Sequence, residues 1–164
     1  MEALKIGWYA IKFRDRDISG YIAENRGGHL IMMKQQNNRR YKVEINEDAS
    51  VSIFSSTRDK YLHLDAGAFL FNAASSSTPD ARFELYDVKR YEGHEYELDE
   101  ERASRIGRNS IYIPTYISAR MKSLANGEFL RVEESKNRKG QAMFSTVYLY
   151  HNWEATEFHF EVQS

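Results

Sequence analysis

The turn HNWEAT, late in the chain, holds the side chains best suited to bind a small polar ligand. Trp153 can stack on the apolar face of a sugar ring, and the neighbouring His151 and Asn152 can hydrogen-bond its hydroxyl groups. The alternative is that Trp153 is buried and closes one end of the hydrophobic core. The first interpretation predicts a carbohydrate-binding site at these three residues.

Polar loops between predicted strands supply a second set of candidate ligand-binding residues. The loop QQNNRR contains Asn37 and Asn38, whose amides suit sugar hydroxyls, and Arg39 and Arg40, which suit an anionic partner. Two further polar loops occur at residues 75–80 and 138–141. The alternative is that such side chains only keep the surface hydrated.

Catalytic chemistry is not predicted for this chain. The sequence contains no glycine-rich phosphate loop, no metalloprotease helix and no nucleophile elbow. Its histidines alternate with apolar residues, as outward-facing strand residues do, or lie in polar segments: His29, His63, His94, His151 and His159. The acidic run 92–101 is typical of a hydrated surface segment, with a cation site as the alternative. We therefore expect a non-enzymatic protein with no metal site and no cofactor.

Composition limits the class of partner and the compartment. The chain has 164 residues and a net charge of −1, which suits one domain and argues against a nucleic-acid partner. It has no cysteine, which favours a reducing compartment. The start of the chain lacks the features of a signal peptide, and no apolar run is long enough to span a membrane. These features predict a cytoplasmic protein, or one exported without a signal peptide.

The stretch VSIFSSTRDKYLHLDAGAFLFNAASSSTPDARFELYDV has the pattern of four short strands. The predicted strands cover residues 51–54, 61–65, 69–73 and 82–86, and polar turns separate them. Apolar side chains alternate with polar ones within the strands, which is typical of sheets with one buried face.

This four-strand pattern occurs three times in the sequence, at about residues 8–48, 49–88 and 110–164. The fourth strands, RYKVEI, RFELYD and EFHFEV, each place an aromatic residue two positions before another apolar residue; these aromatics are Tyr41, Phe83 and Phe158. A charged insertion, 89–109, precedes the third unit, and Asp99 and Gly107 are suited to cap a helix between them. The repeat predicts an all-β single domain, 1–164, with twelve strands in a barrel capped by hairpins.

The whole chain resembles a β-trefoil. The runs DKYLHLD, FLFNAA and ARFELYD, and likewise GEFLRVEE, TVYLYH and TEFHFEV, resemble fascin-like repeats. The opening unit, WYAIKFRDRDISGYIAEN, is similar to the first unit of ricin-B-like lectins. The Gln-x-Trp signature of those lectins is absent, and Tyr41, Phe83 and Phe158 stand near its place.

These resemblances imply three classes of function. The first is a carbohydrate-binding lectin that uses loop residues of a β-trefoil and has a glycan as its partner. The second is a cytoskeletal protein that binds filamentous actin, as fascin-like repeats imply. The third is a protease inhibitor or signalling ligand that acts through the extended segment 89–109.

Overall fold

A computed structural model describes residues 4–15, 18–34, 37–136, 142–147 and 155–163. Over these residues the protein is all-β, with a single α-helix and a short 3-10 turn at Pro79–Ala81. The strands are β1 (Gly7–Asp15), β2 (Ile18–Glu24), β3 (Leu30–Met33), β4 (Tyr41–Ile45), β5 (Val51–Ser55), β6 (Lys60–Asp65), β7 (Ala68–Ala73), β8 (Phe83–Tyr91), β9 (His94–Glu97), β10 (Ser110–Ile113), β11 (Tyr116–Ser123), β12 (Phe129–Lys136), β13 (Ala142–Val147) and β14 (Glu157–Val162). The helix α1 spans Glu100–Ile106. No helix in the described part of the chain is long and apolar enough to cross a membrane.

Six strands pair in a closed cycle of antiparallel neighbours. The cycle runs β1–β4–β5–β8–β11–β14 and returns to β1. It is not evenly round, because β5 meets β8 only at Val51 and Phe83, whereas β8 and β11 pair from Tyr91 to Phe83 with one irregularity. Closure leaves each of these strands with a neighbour on both sides, which protects its backbone polar groups from water and from other chains.

Three hairpins, β2–β3, β6–β7 and β12–β13, are attached to β1, β5 and β11. In each case an aromatic residue in the first strand of the hairpin lies opposite a residue of the cycle: Tyr21 opposite Lys12, Tyr61 opposite Phe54, and Phe129 opposite Lys122. The hairpins also meet one another, since Met143 pairs with Ile31 and His29 pairs with Leu70. One pattern of strand pairing thus occurs three times along the chain.

The hydrophobic core lies inside this cycle and beneath the hairpins. Tyr41, Phe83 and Phe158, the aromatics that define the three predicted fourth strands, are 1%, 0% and 0% exposed. Rings from the hairpins pack on them: Phe71 stacks on Tyr41 at 5.2 Å between ring centroids, and Phe69 approaches Phe83 at 6.2 Å. The alternation predicted from the sequence therefore corresponds to the buried face of the strands.

A buried polar cluster joins the first hairpin to the cycle. The Tyr41 hydroxyl donates a hydrogen bond to Glu24 Oε2, and the Ser55 hydroxyl donates to Glu24 Oε1 at 3.1 Å. Burial and the adjacent Glu24 carboxylate raise the pKa of Tyr41 far above its ordinary value, because both disfavour the tyrosinate. The phenol therefore stays neutral and keeps donating to the carboxylate.

The charged insertion folds as a small unit of its own. Strand β9 pairs with β10 and with no other strand among the described residues, and α1 lies between the two. The predicted helix is confirmed: Asp99 accepts a hydrogen bond from the Arg102 amide at 2.8 Å, and Gly107 ends the helix in a left-handed conformation with φ of 79°.

Both boundaries of the insertion differ from the prediction. Residues 111–113 were expected to open the third unit, but β10 pairs with β9, and the cycle resumes only at Tyr116. At the other end, β8 runs on to Tyr91, so the insertion begins later than residue 89. Both differences follow from hydrogen-bonding partners, because an alternating run such as SIYI can pair with any suitable strand.

Candidate functional site

A groove of about 420 Å³ opens where the insertion leaves the strand cycle. Four parts of the chain line it: strands β1 and β2, the segment just before β4, residues 112–115 at and after the end of β10, and residues 161–163 at and after the end of β14. Its polar and aromatic lining residues are Tyr21, Asn37, Arg40, Tyr112, Thr115, Glu161 and Gln163. These residues are far apart in the sequence, and only the folded chain brings them together.

Two tyrosine rings border this groove. Tyr112, on β10, is 65% exposed, which is a large fraction for an aromatic side chain. Tyr21, on β2, is half-buried, and Lys12 Nζ lies 5.2 Å from the centroid of its ring. An exposed tyrosine offers an apolar face and a hydroxyl to the same ligand.

An ion pair forms part of the groove wall. Lys12 Nζ bonds the Glu161 carboxylate across the β1–β14 pair. Burial acts to lower the pKa of Lys12, but the hydrogen bond to Glu161 and its negative charge reverse that effect and raise it. Lys12 therefore stays charged, and the Glu161 carboxylate beside it offers acceptor oxygens.

The segment before β4 is held by its own hydrogen bonds. Asn37 Oδ1 accepts from the Arg39 amide at 2.9 Å, and Arg40 Nη1 donates to the Arg39 carbonyl at 3.0 Å. Among the described residues, Asn37 Nδ2 contacts the Met33 sulfur, a weak acceptor, at 3.8 Å. The Asn37 amide can therefore still donate to a ligand in the groove.

The structure brings together only some of the residues predicted from the sequence. Asn37 and Arg40 line the groove. Asn38 is exposed beside it, and Arg39 is half-buried with Nη1 3.3 Å from the Met33 sulfur. The HNWEAT candidates His151, Asn152 and Trp153 lie outside the described residues.

Sequence reasoning missed the aromatic and acidic members of the groove. Tyr21 and Glu161 lie in ordinary strand patterns, and the repeat assigns Tyr112 to the third unit. One signal was available for Tyr112: in SIYI it alternates with two isoleucines, so its side chain must leave the face that they share.

A glycine fixes the hairpin next to the groove. The Gly93 amide donates to Thr115 Oγ1 at 2.8 Å. A Cβ atom at Gly93 would come within 2.9 Å of the Thr115 nitrogen and 3.0 Å of the Ile113 carbonyl oxygen, and would also strike the Tyr112 hydroxyl. The position of Tyr112 therefore depends on a close approach that only glycine permits.

A second groove, of about 670 Å³, is larger but less suited to a polar ligand. Its apolar lining includes Leu4, Ile45, Leu85 and Val88. Its two carboxylates are already engaged: Asp48 accepts from the Ser50 amide at 3.0 Å. Glu84 accepts from the Tyr86 hydroxyl at 2.7 Å. The groove at Tyr112 is therefore the better candidate for a ligand that needs several polar contacts.

Two histidines in the described ranges lie against carboxylates. His63 Nδ1 lies 3.4 Å from Asp80, and His159 Nε2 lies 2.7 Å from Glu157. Within those ranges no group of three histidine, cysteine, aspartate or glutamate side chains is placed to hold a metal ion.

No protein-family model matches the chain, and no curated protein matches it.

Proposed function

We propose that this protein is a non-enzymatic carbohydrate-binding domain with a β-trefoil architecture, and that its ligand lies in the groove at Tyr112. The observation that carries the proposal is the grouping of two tyrosine rings with an amide, a guanidinium and a carboxylate around open space. Sugars present apolar faces and a ring of hydroxyls, so they fit a site that offers aromatic faces and both donors and acceptors.

The pairing scheme supports the β-trefoil assignment. Six strands close a cycle, and three hairpins extend from alternate members of that cycle. Strands β9 and β10 fall outside this scheme, so twelve strands remain when the insertion is set aside. Loops on such a scaffold are free to vary and commonly carry the binding function.

The test is a glycan array followed by calorimetry with the best hit, using the full chain. Tyr112→Ala should weaken binding by about tenfold, since loss of one aromatic face removes about 1 kcal/mol or more. Asn37→Ala should weaken it by a similar factor. Tyr96→Ala is the matched control, because Tyr96 lies on the same hairpin, is 46% exposed and does not line the groove.

Two results would contradict the proposal. One is an array with no bound glycan. The other is equal loss of binding in Tyr112→Ala and Tyr96→Ala, which would indicate that the groove is not the site.

Binding of a protein partner such as filamentous actin is the second candidate function, and the exposed residues of the insertion favour it. Helix α1 buries none of its residues, and Ile106 and Tyr96 are 53% and 46% exposed. Solvent-exposed apolar side chains grouped on one projection are typical of a protein-binding surface. Binding by the extended loop of an inhibitor or signalling ligand would use the same residues.

Co-sedimentation with filamentous actin tests this candidate directly. An Ile106→Ser, Tyr96→Ser double variant should lose binding if the insertion is the contact surface. Pelleting of the variant and the parent to the same extent would exclude the insertion as the surface.

A further inference from the structure

We infer that the ligand of this protein is an acidic oligosaccharide, and that a sulfate or carboxylate group on it is held between Arg14 and Lys34. This inference rests on the proposed carbohydrate-binding function and extends it to the chemical class of the glycan. It is carried by a smaller groove that adjoins the one at Tyr112.

The adjoining groove has a volume of about 230 Å³. Its polar lining comes from β1, β2, the end of β3 and β14: Lys12, Arg14, Ser19, Tyr21, Lys34 and His159. Tyr21 lines both the groove at Tyr112 and the adjoining groove. The Lys12–Glu161 ion pair links the two, because Glu161 lines the groove at Tyr112 and Lys12 lines the adjoining groove. An oligosaccharide in the groove at Tyr112 can therefore extend into the adjoining groove.

The charge of this adjoining groove is positive. None of its described lining residues is an aspartate or a glutamate. Lys12 is neutralised by Glu161, and His159 faces Glu157 at 2.7 Å. Arg14 and Lys34 are exposed and have no carboxylate within 4.0 Å among the described residues. Two cations that have no described carboxylate within 4.0 Å thus line this groove.

Gly20 allows β2 to approach β3 closely in the wall of this groove. Gly20 contributes to the wall, and a Cβ atom there would come within 2.6 Å of the Met33 carbonyl oxygen. Ser19 and Tyr21 on either side of it add hydroxyl donors. Two cationic side chains with nearby hydroxyl donors match the needs of an anionic group that has several acceptor oxygens.

The neighbouring groove decides between a glycan and a free anion. A free anion would use only the cationic groove, whereas a glycan would also use Tyr112, Asn37 and Arg40. The shared tyrosine and the linking ion pair make the two grooves one continuous surface, which favours a ligand with both a sugar ring and an acidic substituent.

The experiment compares a sulfated galactan oligosaccharide, its desulfated form and inorganic sulfate by calorimetry on the full chain at two salt concentrations. The sulfated form should bind about tenfold or more tightly than the desulfated form, and the difference should shrink as salt is raised. Arg14→Gln and Lys34→Gln should each reduce binding of the sulfated form by about fivefold or more and leave binding of the desulfated form unchanged. The matched control is Lys89→Gln, an exposed lysine on β8 that lies outside both grooves.

Four outcomes would overturn the inference. Equal affinity for the sulfated and desulfated forms would remove the acidic subsite and leave the proposed function intact. An equal effect of Lys89→Gln and Lys34→Gln would indicate unspecific attraction. Competition by inorganic sulfate as effective as that by the oligosaccharide would reduce the site to a general anion site. Absence of binding to either oligosaccharide would overturn the proposed function along with the inference.

Discussion

The strand cycle and the insertion differ in how many of their side chains are buried and in how their strands pair. In the cycle, Phe83 and Phe158 are fully buried, and every strand pairs on both sides. In the insertion, α1 buries no residue, and its hairpin pairs only with itself in the described part of the chain. The difference teaches that the repeated part of the sequence encodes the core, whereas the part that departs from the repeat is free of the constraints of packing.

The largest expected effect is in the core. Phe158→Ala should lower the free energy of unfolding by about 3–5 kcal/mol, because it removes a buried ring and leaves a cavity between β1 and β11. Denaturant unfolding measures the loss, and Phe158→Leu keeps the measurement possible if the alanine variant does not fold. The comparison is Ile106→Ala in α1, which should cost about 0.5 kcal/mol or less. Equal losses at the two positions would contradict the contrast between core and insertion.

The next effect concerns the buried Tyr41. Tyr41→Phe should lower stability at neutral pH by about 1–3 kcal/mol, because Glu24 then keeps only its bond from Ser55. Denaturant unfolding of the two proteins at pH 7 measures this loss. A loss below about 0.5 kcal/mol would indicate that the hydroxyl is not needed to satisfy Glu24.

The same residue predicts how stability depends on alkaline pH. The pKa of Tyr41 is higher in the folded protein than in the unfolded chain, so its contribution is full below about pH 10 and is lost as pH rises above that value. Stability should fall there by up to about 1.4 kcal/mol per pH unit for this group. Tyr41→Phe should make the decline shallower, although Tyr9, Tyr61 and Tyr116, whose pKa values are also raised by burial, keep some of it.

The smallest effect is expected when the insertion is removed. Replacement of residues 93–113 by a short Gly-Ser turn should change the free energy of unfolding by about 1 kcal/mol or less, since no side chain in that range is buried. The replacement keeps Tyr91, which stacks on Tyr116 at 4.8 Å between ring centroids. Failure of this variant to fold would show that the insertion supports the cycle.

The sequence predicted the strands well and their partners less well. Alternation located β4 and β14, because each strand buries alternate apolar side chains, Tyr41 and Val43 in β4 and Phe158 and Phe160 in β14. It also aligned Tyr41, Phe83 and Phe158, which share one role in the core. It placed 111–113 in the third unit, whereas these residues pair with β9, since alternation indicates which face is buried and not which strand lies alongside.

The candidate groove was predictable only in part. The loop composition singled out Asn37 and Arg40, because an amide suits sugar hydroxyls and a guanidinium group suits an anionic partner. Tyr21, Tyr112 and Glu161 come from strands with ordinary patterns, and only the three-dimensional arrangement joins them. A site assembled from four distant segments leaves no local signature in any of them.

Closure of the cycle between β1 and β14 has a consequence for how the protein folds. Tyr9 pairs with Val162, so one edge of the first strand of the cycle finds its partner only after the last strand has been synthesised. Contacts of such long range are slow to form, and an unpaired strand edge can pair with another chain in the meantime. Lys12 and Arg14 lie along that waiting edge, where their charges discourage association of incomplete chains.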